Sequence, residues 1–544
     1  MRRVRGMILI ALAAAGICMF PTQLTVARAT GSPAAALTGT VSSGEEGMME
    51  GVLVSARRDG ATITVTVDSD EHGRYTFPRN RLEPGHYSLR IRAVGYDLDG
   101  AASADIAAGK PANVDLKLRK AKDLAAQLTN TEWLMSMPGT DEQKFMMGNC
   151  GNCHTYERIV RSQYNSDDFL GILQLMATFA QGATPTHPKK RGLEQLTETG
   201  MMGTPKTAEF LSTINLSDGR DEWPYALKTL PRPKGKATHV IITEYDLARR
   251  DALPHDVVLA PDGLVWYRDF ATEMFGSLDP KTGKVADYPM PGAKPGFQQG
   301  EPDMEIDKYG NLWTALQSGT ILKFDTKTHE FASWSVNENA NFQMIAPVYG
   351  EDSKVKVWVS GSQLPGLHRF DLTTGKYEKL DPKSLYGVDA DSKGNGYGLE
   401  ISNQNIVKVD ALTGEVTRYS TPTKSSGPRR GRFDSQDRLW FGEFRGNKVG
   451  MLDTRTGTFK EWPVPTPWTG PYDATLDKNG DAWTDGMFSD RVVRVNTTTG
   501  ESVEYLLPRE TNMRRVFVDN STTPVTFWVG NNHGASIVKV EPQE

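Results

Sequence analysis

Beyond the first thirty residues the chain holds only two cysteines, and they stand two apart beside a histidine: Cys150-Gly151-Asn152-Cys153-His154. Two thiols at this spacing can add across the two vinyl groups of haem, and the adjacent imidazole then lies under the iron as an axial ligand. A thioredoxin-type dithiol would want a strand–helix context, which the flanking sequence lacks. A zinc site would need further ligands, and no third Cys follows. The motif therefore predicts covalently attached haem c. For the sixth iron position, Gly200-Met201-Met202-Gly203-Thr204-Pro205 offers Met202, with Met201 as the alternative. Met176, His187 and an open five-coordinate iron remain beside them.

A second set of chemistry-bearing residues emerges from a repeat. An Asp/Asn-x-x-x-Gly turn begins at Asp279, Asp325, Asp371, Asp410, Asp453 and Asn496, with His329 replacing the Gly in one copy. Twelve or thirteen residues before each stands an aromatic, namely Trp266, Trp313, Trp358, Tyr397, Trp440 and Trp483, and Trp528 begins a seventh unit. About 43 residues per unit of four short strands is the period of a propeller blade. The seventh unit stops before its outer strand, and Val240 to Leu247 reads as that strand. Ring closure by this segment predicts seven blades over residues 238–544, with the blade aromatics as core.

Strand entrances and second-to-third-strand loops of a propeller share one face around the channel. Counting eleven residues back from the blade aromatics places His255, Pro302, Tyr386, Arg429 and Tyr472 at entrances, with Arg514 in the equivalent place of the last blade. The loops add Asp269, Glu273, Glu443, Arg445, Asp485 and His533. His255, His533 and Glu443 are the candidate acid–base groups, with His533 expected near His255 across the ring closure. The pairs Arg429-Arg430 and Arg514-Arg515 could hold a carboxylate or phosphate bidentately. Alternatively they pair with Glu443 and Asp485, or form a docking patch.

Two further segments precede the repeat. Residues 37–118 alternate apolar and polar in short runs such as Ala61 to Val67 and Tyr87 to Ile91, the pattern of a small antiparallel sandwich. Residues 119–230 lose that alternation; Lys120 to Leu134, Glu142 to Met147, Asp167 to Ala180 and Thr207 to Ile214 show helical spacing. The fold class expected is thus multidomain and mainly β: a small β-sandwich, a helical domain and a seven-bladed β-propeller.

Three resemblances attach to these segments. Asp70 to Phe77, Leu82-Glu83-Pro84-Gly85-His86-Tyr87 and Ala93-Val94-Gly95-Tyr96 resemble the carboxypeptidase regulatory-like domain, which implies a transthyretin-like sandwich without catalysis. The surroundings of the Cys–His motif, with Gln143 to Met147 before it and Thr207 to Leu216 after it, resemble a class I cytochrome c. Pro261-Asp262-Gly263-Leu264-Val265-Trp266, Trp440-Phe441-Gly442-Glu443, Asn447-Lys448-Val449-Gly450 and Tyr288-Pro289-Met290-Pro291 resemble the virginiamycin B lyase (streptogramin lyase) propeller. That family implies catalytic His residues at strand entrances, acidic residues and Mg²⁺. Here only His255 holds a His at that register; Tyr472 and Arg514 occupy equivalent entrances.

Charge and compartment bound the function. Arg2, Arg3 and Arg5, an uncharged run from Gly6 to Phe20, and Ala27-Arg28-Ala29 read as a secretory signal peptide over residues 1–29. Its removal would take the net charge from −5 to −9, which gives no basic excess for nucleic acid. No second apolar stretch is long enough to span a bilayer. The expectation is a periplasmic or secreted c-type cytochrome fusion in electron transfer, its propeller binding a small anionic molecule or a redox partner protein. The alternatives are a Mg²⁺-dependent lyase-type eliminase with an accessory haem domain, and a non-enzymatic haem sensor.

Overall fold

The computed structural model describes residues 34–179, 183–185, 188–190, 204–217, 222–292, 300, 303–336, 342–350, 354–361, 364–381, 383 and 385–544. The expected sandwich is present. Its first sheet contains Ala35–Ser43, Arg74–Pro78, Tyr96–Leu98 and Leu116–Lys120, and its second contains Leu53–Arg58, Ile63–Asp68, Gly85–Arg92 and Ala102–Ile106. The alternating runs bury one side chain in two: Leu37, Val41, Val54, Tyr75, Phe77, Tyr87, Leu89 and Leu116 form the shared core.

Residues from Val240 onward build seven blades of four antiparallel strands, six of them separate up-and-down sheets and the seventh part of a larger sheet. The innermost strands are Pro254–Leu259, Glu305–Ile306, Met344–Tyr349, Gly387–Ala390, Pro428–Phe433, Pro471–Leu476 and Val516–Asp519. All seven blade aromatics are buried. Three of the six Trp among them donate their indole N–H to an Asp six residues earlier: Trp313 to Asp307, Trp440 to Asp434 and Trp483 to Asp477, each at 2.9 Å. The expected closure also holds. Val240–Asp246 pairs antiparallel along Ser536–Pro542 from Val240↔Pro542 to Asp246↔Ser536 and supplies the outer strand of the seventh blade.

That outer strand is not an edge. Its far side pairs with Ile63–Asp68 of the sandwich, from Ile241↔Val67 to Tyr245↔Ile63, so one eight-stranded sheet runs through both modules. Arg81 grips Glu541 with two 3.0 Å hydrogen bonds, and Arg57 reaches Asp246 at 2.6 Å. The sandwich therefore covers the outer edge of the seventh blade, whereas the outer strands of the other six blades end their sheets.

Between the modules lie the helices Asn130–Ser136, Asp141–Met146, Glu157–Val160, Ser166–Ala177 and Pro205–Thr213. The expected helix from Lys120 to Leu134 is corrected. Lys120 ends the strand Leu116–Lys120, and helix begins only at Asn130, because Thr129 and Glu132 form a reciprocal capping box there. Trp133, Leu134, Met147, Tyr156, Phe169, Leu173, Phe210 and Ile214 make a common core. Among the described residues no helix is long and apolar enough to cross a membrane.

Candidate functional site

The cysteine–histidine motif begins in a tight turn. Thr140 and Gln143 cap helix Asp141–Met146, which tightens into a 3₁₀ turn over Met147–Asn152. Cys150 packs against the helical core, whereas Cys153 and His154 line a cleft of about 590 Å³. Across it stand Thr184, Pro185, Glu157, Arg158, Arg161 and, from the propeller, Arg509, Glu510 and His533. The cysteines are not joined by a disulfide.

His154 Nδ1 lies 2.9 Å from the Thr155 carbonyl oxygen. A carbonyl can only accept, so Nδ1 carries the proton and Nε2 keeps its lone pair. Metal-ligating histidines are held in this way. Burial holds the imidazole below its usual range, hence neutral, and pushes the Cys150 thiol up to about 12. Two thiols and an oriented imidazole on one turn beside a cleft fit a haem c. Of the candidate sixth ligands, Met201, Met202 and His187 lie outside the described residues. Met176 sits on helix Ser166–Ala177 and does not line the cleft.

This turn rests on the mouth of the propeller. Asn512 Nδ2 donates to the Gly151 carbonyl at 3.0 Å and Arg514 Nη2 to the Asn152 carbonyl at 3.2 Å, with His533 Nε2 3.3 Å from the same oxygen. Phe488 packs so close to Gly151 that a Cβ there would lie 2.9 Å from its ring, which explains the glycine. Thr131 donates its backbone N–H to the Phe488 carbonyl at 2.9 Å, and the Phe145 ring packs against Trp468 at 5.0 Å between centroids, tilted by 60°. The fifth, sixth and seventh blades thus seat the motif.

Beneath it the entrance residues converge as the eleven-residue count requires. His255, fully buried, has Nδ1 2.6 Å from Asp256 and Nε2 3.2 Å from the Tyr472 hydroxyl, and Tyr472 meets Tyr386 at 2.5 Å. Burial drives the His255 pKa down to about 3. Arg429 lies over the rings of Tyr472, Phe444 and Tyr386, and Arg514 over Phe270. Pro302 lies outside the described residues.

One residue deeper is a layer of ion pairs. Arg430 binds Asp256 through both oxygens at 3.0 Å and Asp303 at 2.7 Å. Arg515 engages Asp303, Glu305, Asp256 and Asp473. Although burial pushes the other way, Arg430 and His255 hold Asp256 well below the usual carboxylate range. Arg430 and Arg515 are therefore neutralised internally, which corrects their expected role toward an outside anion. Their partners are these deeper acids rather than Glu443 and Asp485. Sequence reasoning missed this layer, yet its register is regular: Asp256, Asp303, Arg430, Asp473 and Arg515 each follow an entrance residue directly.

The remaining candidates separate. His533 joins the cleft beside His154 instead of meeting His255, and burial lowers its pKa to about 4. Glu443 is fully buried with neither carboxyl oxygen hydrogen-bonded; burial and Glu461 beside it push its pKa up to about 8. Asp269 is bound by Arg249 at 2.6 Å and Glu273 by Arg268 at 2.7 Å. Asp485 is buried, and burial raises its pKa well above the ordinary value. Among the described residues no three His, Cys, Asp or Glu side chains gather into a group able to hold a metal ion.

Comparison with known proteins places two of these modules. Three solved structures are similar to part of the chain. A catalytically inactive virginiamycin B lyase from Staphylococcus aureus with quinupristin is 20% identical, over 56% of this chain and 99% of that one, with a TM-score of 0.48. A streptogramin B lyase is 20% identical over 57% and 99%, also at 0.48. The extracellular domain of a putative hybrid two-component system from B. thetaiotaomicron is 14% identical over 53% and 38%, at 0.43. No curated protein matches the chain. Residues 36–119 match the carboxypeptidase regulatory-like domain and residues 377–544 the virginiamycin B lyase family, so the chain contains a domain like each.

Proposed function

We propose that the protein is an exported c-type cytochrome that moves single electrons, with its haem segment seated on the propeller mouth. The observation that carries this reading is the Cys150/Cys153/His154 turn, with the imidazole oriented by Thr155 and the turn pinned by Asn512, Arg514 and His533. Cys150 and Cys153 would tether the haem and His154 would hold its iron; Met202, or Met201, would be the second residue to hold it. Haem, when bound, supplies the one-electron chemistry. The chain's part would be to orient the His154 imidazole through Thr155 and keep it neutral. The mouth would then present the group to a redox partner protein or a small molecule. Reductive and oxidative titration of the exported protein, followed in the visible spectrum, tests the function. A reversible one-electron couple with a sharp α-band on reduction is expected; a protein that shows no haem band at any potential overturns the reading.

The family match over residues 377–544 favours a second reading, elimination of the lyase type with His255 or Glu443 as acid–base group. Against it, both His255 ring nitrogens are committed to Asp256 and Tyr472, and the cysteine–histidine turn covers the mouth. Mg²⁺-dependent opening of quinupristin by the purified protein would favour this reading over electron transfer.

A further inference from the structure

The two arginine pairs of the propeller mouth differ within themselves. Arg430 and Arg515 are each ion-paired, Arg430 with Asp256 and Asp303, and Arg515 with Asp256, Asp303, Glu305 and Asp473. Their sequence neighbours Arg429 and Arg514 are just as inaccessible, at 7% and 4% exposure, yet no carboxylate among the described residues pairs with either. Arg429 offers Nη1 only to the Met487 sulfur at 3.5 Å, and its buried Nε has no hydrogen-bond partner. Arg514 is held by the neutral acceptors Asn512 Oδ1 at 2.8 Å and Asn152 O at 3.2 Å. Two cations withdrawn from water without a counter-charge are costly, so such a site calls for an anion.

We infer that Arg429 and Arg514 bind a small organic carboxylate between them, at the Tyr386–Tyr472 hydroxyl pair and under the Gly151–Asn152 turn. Guanidinium groups meet a carboxylate with paired charge-assisted hydrogen bonds. The two phenol hydroxyls, joined at 2.5 Å and continued by His255 and Asp256, provide a relay of hydrogen bonds at the same place. The local field agrees: burial alone would raise the Tyr386 phenol, but Arg429, Arg430, the hydrogen bond with Tyr472 and Arg514 together bring it below its usual range. Burial and the nearby Arg429 lower the Arg514 pKa, and an anion between them would restore it.

A haem attached at Cys150 and Cys153 would itself bring two carboxylates. The inference takes the carboxylate to be an external molecule, and the haem-free arm of the test separates the two sources. The inference stands on the arginines alone and does not depend on haem being present.

The test is calorimetric titration and thermal shift of the full exported chain with acetate, benzoate and inorganic phosphate. Arg429→Gln, Arg514→Gln and the charge-retaining Arg429→Lys serve as variants, and Cys150→Ala/Cys153→Ala as the haem-free arm. The expected result is a stabilising carboxylate that binds wild type and the haem-free arm alike and loses at least tenfold in affinity in each variant. Should the Gln variants fail to fold, Arg429→Lys still decides, since it keeps the charge and loses the bidentate fork. Binding only in the haem-free arm would assign the arginines to the propionates and overturn the external ligand. Binding of phosphate alone, equal binding in all variants, or no binding to wild type would overturn the site.

Discussion

At the residue scale, Glu443 shows how burial and a neighbouring acid together set a protonation state. Its carboxyl has no hydrogen-bond donor, and the acid beside it, Glu461, is already held by Lys448 at 2.7 Å. With its pKa raised from 4.5 to about 8, the folded protein keeps a proton that the unfolded chain releases. Stability must then fall as pH rises from about 4.5 through about 8. Glu443→Gln removes that slope; urea unfolding at pH 5 and pH 8.5 should show the variant gaining on the order of 2–4 kcal/mol relative to wild type between the two. Equal slopes would place the Glu443 proton elsewhere. The same scale shows what a sequence can reveal about a site. The entrance count gathered His255, Tyr386, Arg429, Tyr472 and Arg514, because one blade period fixes one register. It did not reveal which arginine of each pair is neutralised, since that depends on acids from three other blades.

At the element scale, turns and closure were legible because each rests on local chemistry. The Asp/Asn turns accept backbone N–H groups two and three residues on, as Asp371 does from Thr373 and Thr374. Where Gly is replaced, His329 takes the left-handed φ of 61° and stacks its ring on Phe324. The eight-stranded seam was not legible: Ile63–Asp68 alternates like any half-buried strand, and nothing local says that both of its edges are paired. The seam makes sandwich and seventh blade one cooperative unit. Val65→Pro removes a backbone donor from a doubly paired strand, at a cost of about 3 kcal/mol or more. Hydrogen exchange should then quicken in Ser536–Pro542 as well as in Leu53–Arg58. Faster exchange in the sandwich alone would mean that the shared sheet does not couple the modules.

At the scale of the whole molecule, sandwich, helices and propeller meet around one small region. The helical segment presents Gly151 and Asn152 to the mouth, and the propeller answers with Asn512, Arg514, His533 and Phe488. The haem expectation could be drawn from the cysteine–histidine spacing without any structure, because two thioethers beside one iron-holding imidazole would require that spacing. Its seat on the propeller could not be read from sequence, because the contacts join residues more than 300 positions apart. The account depends first on covalent haem at this turn. Intact-mass measurement of the denatured, acid-extracted exported protein tests it most directly. Wild type should carry the added mass of one haem, and Cys150→Ala/Cys153→Ala should carry none. A wild-type chain at its unmodified mass, from cells that mature c-type cytochromes, would contradict the account.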